Sequence, residues 1–165
     1  MLETIVKRSS PLPAGAKMLI FGGGFSGQHI GALARGLGSK ALCSRRSLEK
    51  EGADFIFNSS TKELPNERVL EETTHLLSCI PPGEDGKDPV LTYLKDKLKK
   101  LPLKWVGYLS TTGVYGDSQG AWVNELYTPK PKQLRSQRRL KCEKEWLESG
   151  LPVQILRLPG IYGPG

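Results

Sequence analysis

Apolar positions along this chain fall into two alternating patterns. Short runs that are apolar almost throughout, Met18 to Phe21, Ala41 to Ser44, Asp54 to Phe57, His75 to Cys79, Trp105 to Ser110 and Val153 to Leu158, predict strands. Between them, apolar residues recur every three or four positions, as in Val90, Leu91, Leu94, Leu98 and Leu101. That spacing predicts helices over Gly27 to Leu37, Pro89 to Leu101 and Gln133 to Ser149, with shorter helical pieces after the second and third strands. Repeated strand–helix units with uniformly apolar strands imply a parallel sheet covered on both faces. Right-handed crossovers then leave a doubly wound α/β fold, strand order 3-2-1-4-5-6, as the natural arrangement. Ligands in such a sheet sit beyond the carboxyl ends of the strands, which directs attention to the loops at Gly22, Ser44, Ile80, Ser110 and Pro159.

The first of these loops carries the sharpest chemistry. The strand ending at Phe21 runs into Gly22-Gly23-Gly24-Phe25-Ser26-Gly27, a Gly-x-Gly-x-x-Gly turn that opens a helix. Gly22 permits the tight turn, Gly24 lets the backbone approach a phosphate, and Gly27 lets the helix pack against the strand. The free N–H groups of the first helical turn, at Phe25 and Ser26, face a pyrophosphate. This is the fingerprint of a Rossmann-type dinucleotide site, although a plain strand-to-helix turn uses the same residues. At the end of the second strand, where an acidic residue would hold the ribose of NAD, the sequence has Ser44-Arg45-Arg46. These residues fit the 2′-phosphate of NADP, so NADP is the expected cofactor and NAD the alternative. The other interpretation is two exposed arginines on a surface loop. Ile80 and Pro81, after the fourth strand, are expected to border the same cofactor.

Size and composition fit this picture. At 165 residues the chain suits one domain, divided here into a leader over residues 1–16 and a Rossmann domain over residues 17–165. No apolar run approaches the ~20 residues of a membrane span, and the leader lacks the apolar stretch of a signal peptide. Cys43, Cys79 and Cys142 are far apart and odd in number, which argues against a disulfide framework or metal cluster and favours a cytoplasmic setting. The net charge of +7 comes largely from two clusters. Lys95, Lys97, Lys99, Lys100 and Lys104 accompany a leucine-faced helix and are expected to be solvated. The cluster Lys130, Lys132, Arg135, Arg138, Arg139 and Lys141 is the stronger functional candidate. Its helix has charge enough for nucleic acid but lacks interleaved aromatics or a recognised motif, so no nucleic-acid partner is expected.

The fifth strand leads into Ser110-Thr111-Thr112-Gly113-Val114-Tyr115-Gly116, and the chain closes on Leu156-Arg157-Leu158-Pro159-Gly160-Ile161-Tyr162-Gly163-Pro164-Gly165. With the glycine turn, these segments resemble the extended short-chain dehydrogenases, the NAD-dependent epimerase/dehydratase family. The resemblance places Thr111 at the catalytic serine or threonine and Tyr115 in a packing, substrate-contact or acid role. It also implies a Tyr-x-x-x-Lys pair on the helix near residue 135. Matching Glu143 to the acidic residue that follows the lysine in that family puts Arg139 in the lysine slot and Arg135 in the tyrosine slot, so the usual acid is missing. Arg139 remains suited to a ribose or phosphate. Tyr93-Leu94-Lys95-Asp96-Lys97 has the right spacing on the wrong helix, and Tyr127 lies in a proline-bounded loop. Family members usually continue well beyond this length, so the substrate-binding region is absent or truncated, and the open edge is expected to favour a homodimer.

Two functions follow. One is NADP-dependent carbonyl chemistry, as reductase, epimerase or dehydratase, on a small molecule such as a sugar nucleotide, with Thr111 polarising the substrate oxygen. The other is a non-catalytic cofactor-binding or redox-sensing module.

Overall fold

The computed structural model describes residues 9–163. The expected leader therefore falls partly outside the described residues, at Met1–Arg8; within its described part, Leu12 packs on the core.

Six strands form one parallel sheet in the order β3-β2-β1-β4-β5-β6. They are β1 (Lys17–Phe21), β2 (Lys40–Arg45), β3 (Phe55–Ile56), β4 (His75–Ser78), β5 (Trp105–Thr111) and β6 (Val153–Leu158). The order reverses between β1, which pairs with β2, and β4, which pairs with β5. That switch point opens a crevice at the strands' carboxyl ends.

Alternation along each strand sends side chains to two cores. On one face Leu19, Phe21, Leu76, Val106 and Tyr108 pack with Leu94, Leu98, Cys142 and Trp146. The last four come from α3 (Pro89–Leu98) and α4 (Leu134–Leu147). On the other face Met18, Ile20, Cys43, Leu77 and Leu109 pack with Ala34 of α1 (Phe25–Gly36). Helix α3 starts where Asp88 accepts a hydrogen bond from the Leu91 N–H, with Pro89 in its first turn, a favourable helix opening. The lysines of its outer face are exposed, as the leucine spacing predicts.

Two expectations change. Only a single turn, α2 (Glu67–Leu70), follows β3, and no helix follows β2. Residues 46–54 instead run through turns that include Gly52 at φ +75°, a left-handed conformation that ends any helical run. β3 shrinks to Phe55–Ile56, although Asp54 and Phe57 still donate their N–H groups to the carbonyls of Cys43 and Arg45. β6 forms the far edge and is half-exposed along most of its length.

Candidate functional site

The crevice holds two adjoining cavities that share Arg139 and Ile161. The first, of about 430 Å³, is lined by Gly22, Gly24, Phe25, Ser26, Gly27, Cys79, Leu109, Ser110, Arg139, Leu158 and residues 161–163. The second, of about 660 Å³, lies between the Pro81-Pro82 loop, the end of β5 and the amino-terminal half of α4.

The glycine turn forms the floor of the first cavity. Gly22 has φ +95°, which β-carbon-bearing residues rarely adopt. At Gly27 a Cβ would stand 2.3 Å from the Gly22 carbonyl oxygen, so only glycine lets α1 sit this close to the turn. Gly24 lines the cavity, and a Cβ there would meet nothing within 4 Å. The backbone is thus open to a ligand where a pyrophosphate would lie. Helix α1 begins without a side-chain cap or an acidic residue in its first turn, which leaves its N–H groups and positive end for an anion. The residues present therefore fit a dinucleotide.

Ser44 takes a different part from the one expected. It is 1% exposed, its hydroxyl accepts a hydrogen bond from the Gly22 N–H (2.9 Å), and its carbonyl accepts one from Gly23 (2.7 Å). Buried beneath the turn, it holds the glycines in place rather than reaching a ribose phosphate. Arg45 donates to the Glu51 carbonyl (3.2 Å) and Arg46 is exposed, so both guanidiniums stand at the end of β2. Ile80 likewise supports the turn: its Cγ1 lies 3.0 Å from where a Gly22 Cβ would be. Pro81 borders the second cavity, not the first. Cys79 lines the first cavity, and burial pushes its thiol up to about 12, so it stays protonated and is a poor nucleophile.

Arg139 is the hinge between the cavities. Its guanidinium donates to the carbonyls of Leu109 (2.7 Å) and Ile80 (3.4 Å) and to the Tyr108 hydroxyl (3.2 Å), with its Cζ 5.6 Å from the Tyr108 ring centroid. A fixed positive charge thereby spans the ends of β4 and β5. Tyr108 is fully buried, and burial raises its hydroxyl well above the ordinary tyrosine value.

Behind the cavities, Glu143 on α4 is 2% exposed and accepts hydrogen bonds from the Ser110 hydroxyl and from Arg157 on β6, at 2.8 Å to Nη2 and 3.1 Å to Nε. The paired carboxylate holds the Arg157 guanidinium above its ordinary value, and the guanidinium covers the Tyr115 ring at 4.8 Å. Tyr115, 8% exposed, lines neither cavity and packs edge-on against Tyr127, which puts its ring in the packing role. Thr111 does line the second cavity. Its Oγ1 accepts from the Gly113 N–H (3.1 Å), capping the short turn Thr112–Tyr115 and leaving its own proton free to donate outward.

On α4, Cys142, Glu143 and Trp146 are buried together while Arg135 and Arg139 line the second cavity, so the helix packs at one end and faces the crevice at the other. Tyr93 is remote: its hydroxyl donates to the Ser59 carbonyl (3.2 Å). Arg157 went unassigned from the sequence, where the available signal was a lone charge in an otherwise largely apolar terminal strand.

No family model and no curated protein sequence matches the chain. Solved structures do. A conserved protein of unknown function from Silicibacter pomeroyi is 34% identical, with a TM-score of 0.79 over 90% of this chain and 54% of its own. A Methylobacillus flagellatus protein assigned to the NAD-dependent epimerases/dehydratases is 26% identical, with a TM-score of 0.72 over 92% of this chain and 56% of its own. UDP-glucuronic acid 4-epimerase from Bacillus cereus, solved with NAD, is 25% identical, with a TM-score of 0.69 over 90% of this chain and 58% of its own. The chain spans a little over half the length of these structures, and its structural neighbours include NAD-dependent members of the epimerase/dehydratase family.

Proposed function

We propose that this chain binds a nicotinamide dinucleotide in the first cavity, prefers NADP(H), and presents it to a carbonyl-bearing small molecule, such as a sugar nucleotide, in the second. The observation that carries this is the uncapped start of α1 beside Gly24, a backbone cradle open to an anion. Arg45 and Arg46 supply two positive charges, and no acid, at the end of β2, which supports the preference for a 2′-phosphate. A bound nicotinamide would supply hydride exchange. Thr111 would donate a hydrogen bond to the substrate oxygen and so polarise it, keeping its own proton, and Arg139 would hold positive charge beside it. Fluorescence titration should show NADPH binding more tightly than NADH, with the preference lost on Arg45→Ala with Arg46→Ala. Equal affinities in the wild-type chain would refute the preference.

A second function, cofactor binding without turnover, draws on Arg135 and Arg139 standing where the family resemblance calls for tyrosine and lysine. Saturable NADPH binding with no oxidation across a carbonyl panel would favour it.

A further inference from the structure

The second cavity has an electrostatic character that a carbonyl site does not require. Three arginines, Arg135, Arg138 and Arg139, line it, and no carboxylate does. Arg139 is committed to protein acceptors. Arg135 and Arg138 have no hydrogen-bond or ion-pair partner among the described residues, although the aliphatic stem of Arg138 rests near Gly86. Lys141, on the same helix, does find one, Glu145 at 3.7 Å. The Arg135 and Arg138 pair is also spaced three residues apart, so both project from one side of α4 within its first turns. Thr111, Thr112 and Gly113 line the same cavity. Guanidinium forks match the two oxygens of a carboxylate or phosphate and are the groups best suited to such a pairing.

We infer that the second cavity is an oxyanion site, in which Arg135 and Arg138 grip a carboxylate or phosphate of the second ligand beside Arg139. The ligand's anionic group thus lies next to the reacting end of the crevice. The assignment of this anion to a substrate rests on the proposed function, but anion binding itself does not. Positive charge without a compensating acid raises the local anion concentration and orients the ligand by its charged end.

The test is calorimetric titration of the full chain at fixed ionic strength, with inorganic pyrophosphate in one arm and oxalate in the other, each with and without saturating NADPH. Saturable binding of at least one anion is expected, weakened tenfold or more by Arg135→Gln or Arg138→Gln and unchanged by Lys95→Gln with Lys97→Gln on the exposed face of α3. The arm that binds identifies the anion as phosphate-like or carboxylate-like. Circular dichroism confirms that each variant folds. Non-saturable binding, or binding that survives both arginine substitutions, would overturn the site. So would binding removed instead by Arg45→Ala with Arg46→Ala, because the anion would then sit at the cofactor end. NADPH titration of the Arg135→Gln variant separates the two proposals: retained cofactor affinity with lost anion affinity is the expected pattern. Absent NADPH binding in every variant refutes the cofactor proposal and leaves the anion result standing.

Discussion

The two halves of the crevice are built from different materials. Around Gly22 to Gly27 the wall is main chain, fixed by a left-handed φ, a contact of 2.3 Å that only a missing Cβ permits, and Ser44 bracing the turn from below. Around α4 the wall is side chain, with Arg135, Arg138 and Arg139 lining it, and behind it a relay runs from Ser110 to Glu143 to Arg157, with the guanidinium resting on Tyr115. In the backbone wall Gly22 and Gly27 tolerate little change in residue type. Side-chain walls can be rebuilt, and here the exposed turns of α4 carry arginines. The proposed dinucleotide site therefore rests on backbone geometry in the first half, and the proposed anion site on side chains in the second.

The largest effect expected from breaking the comparison falls on the side-chain half. Glu143→Ala leaves Arg157 without its carboxylate in a largely buried position, with side-chain exposures of 19% and 2% for the two partners. Removing one member of such a pair costs about 3–5 kcal/mol, which urea denaturation should register as a lower midpoint. Replacing both, as Glu143→Leu with Arg157→Met, should recover most of that loss, because no unpaired charge then remains. If the single and double substitutions are equally destabilised, the relay is not what holds α4 to β6.

On the backbone half, Gly27→Ala forces α1 away from the Gly22 carbonyl. Overpacking of this kind costs about 1–3 kcal/mol, and cofactor binding should disappear with it. Retained stability and binding would show that the turn can move.

A smaller effect samples both halves at once, through Cys79 at the first cavity and Cys142 under α4. Burial raises each thiol from 9.0 to about 12. As pH climbs above about 9, the unfolded chain releases protons that the folded chain keeps. The associated stability is fully present below the unfolded value and is lost as pH approaches 12. Tyr108, raised in the same direction, deepens the loss. Thermal unfolding followed from pH 8 to 11 should show the midpoint falling, with a shallower fall in Cys79→Ala with Cys142→Ala. An unchanged slope would assign the effect to other groups.

These contrasts also explain what could be read in advance. The strand order and the glycine turn were legible because period and backbone geometry are written locally: a run such as Met18 to Phe21 ends in a glycine turn in which Gly22 takes a φ that β-carbon-bearing residues rarely adopt and Gly27 has no room for a Cβ. The short form of β3 and the turns after β2 were not, since Ser47 to Gly52 carries enough helix-forming residues to mimic a helix until Gly52 takes its left-handed conformation. Ser44 reads as a ligand donor in sequence because its burial depends on how β1 and β2 align. Thr111 could be placed at the crevice from its strand end, whereas the Ser110, Glu143 and Arg157 contact joins residues up to 47 positions apart, and no local pattern announces it.

The central claim, that the glycine turn holds a dinucleotide, is tested most directly at Gly24. Its φ of −72° suits any residue, and a side chain there meets open cavity rather than protein. Gly24→Val should therefore fold with unchanged stability while losing NADPH and NADH in fluorescence titration. Undiminished binding by that variant, or no saturable binding by the wild-type chain, would contradict the claim.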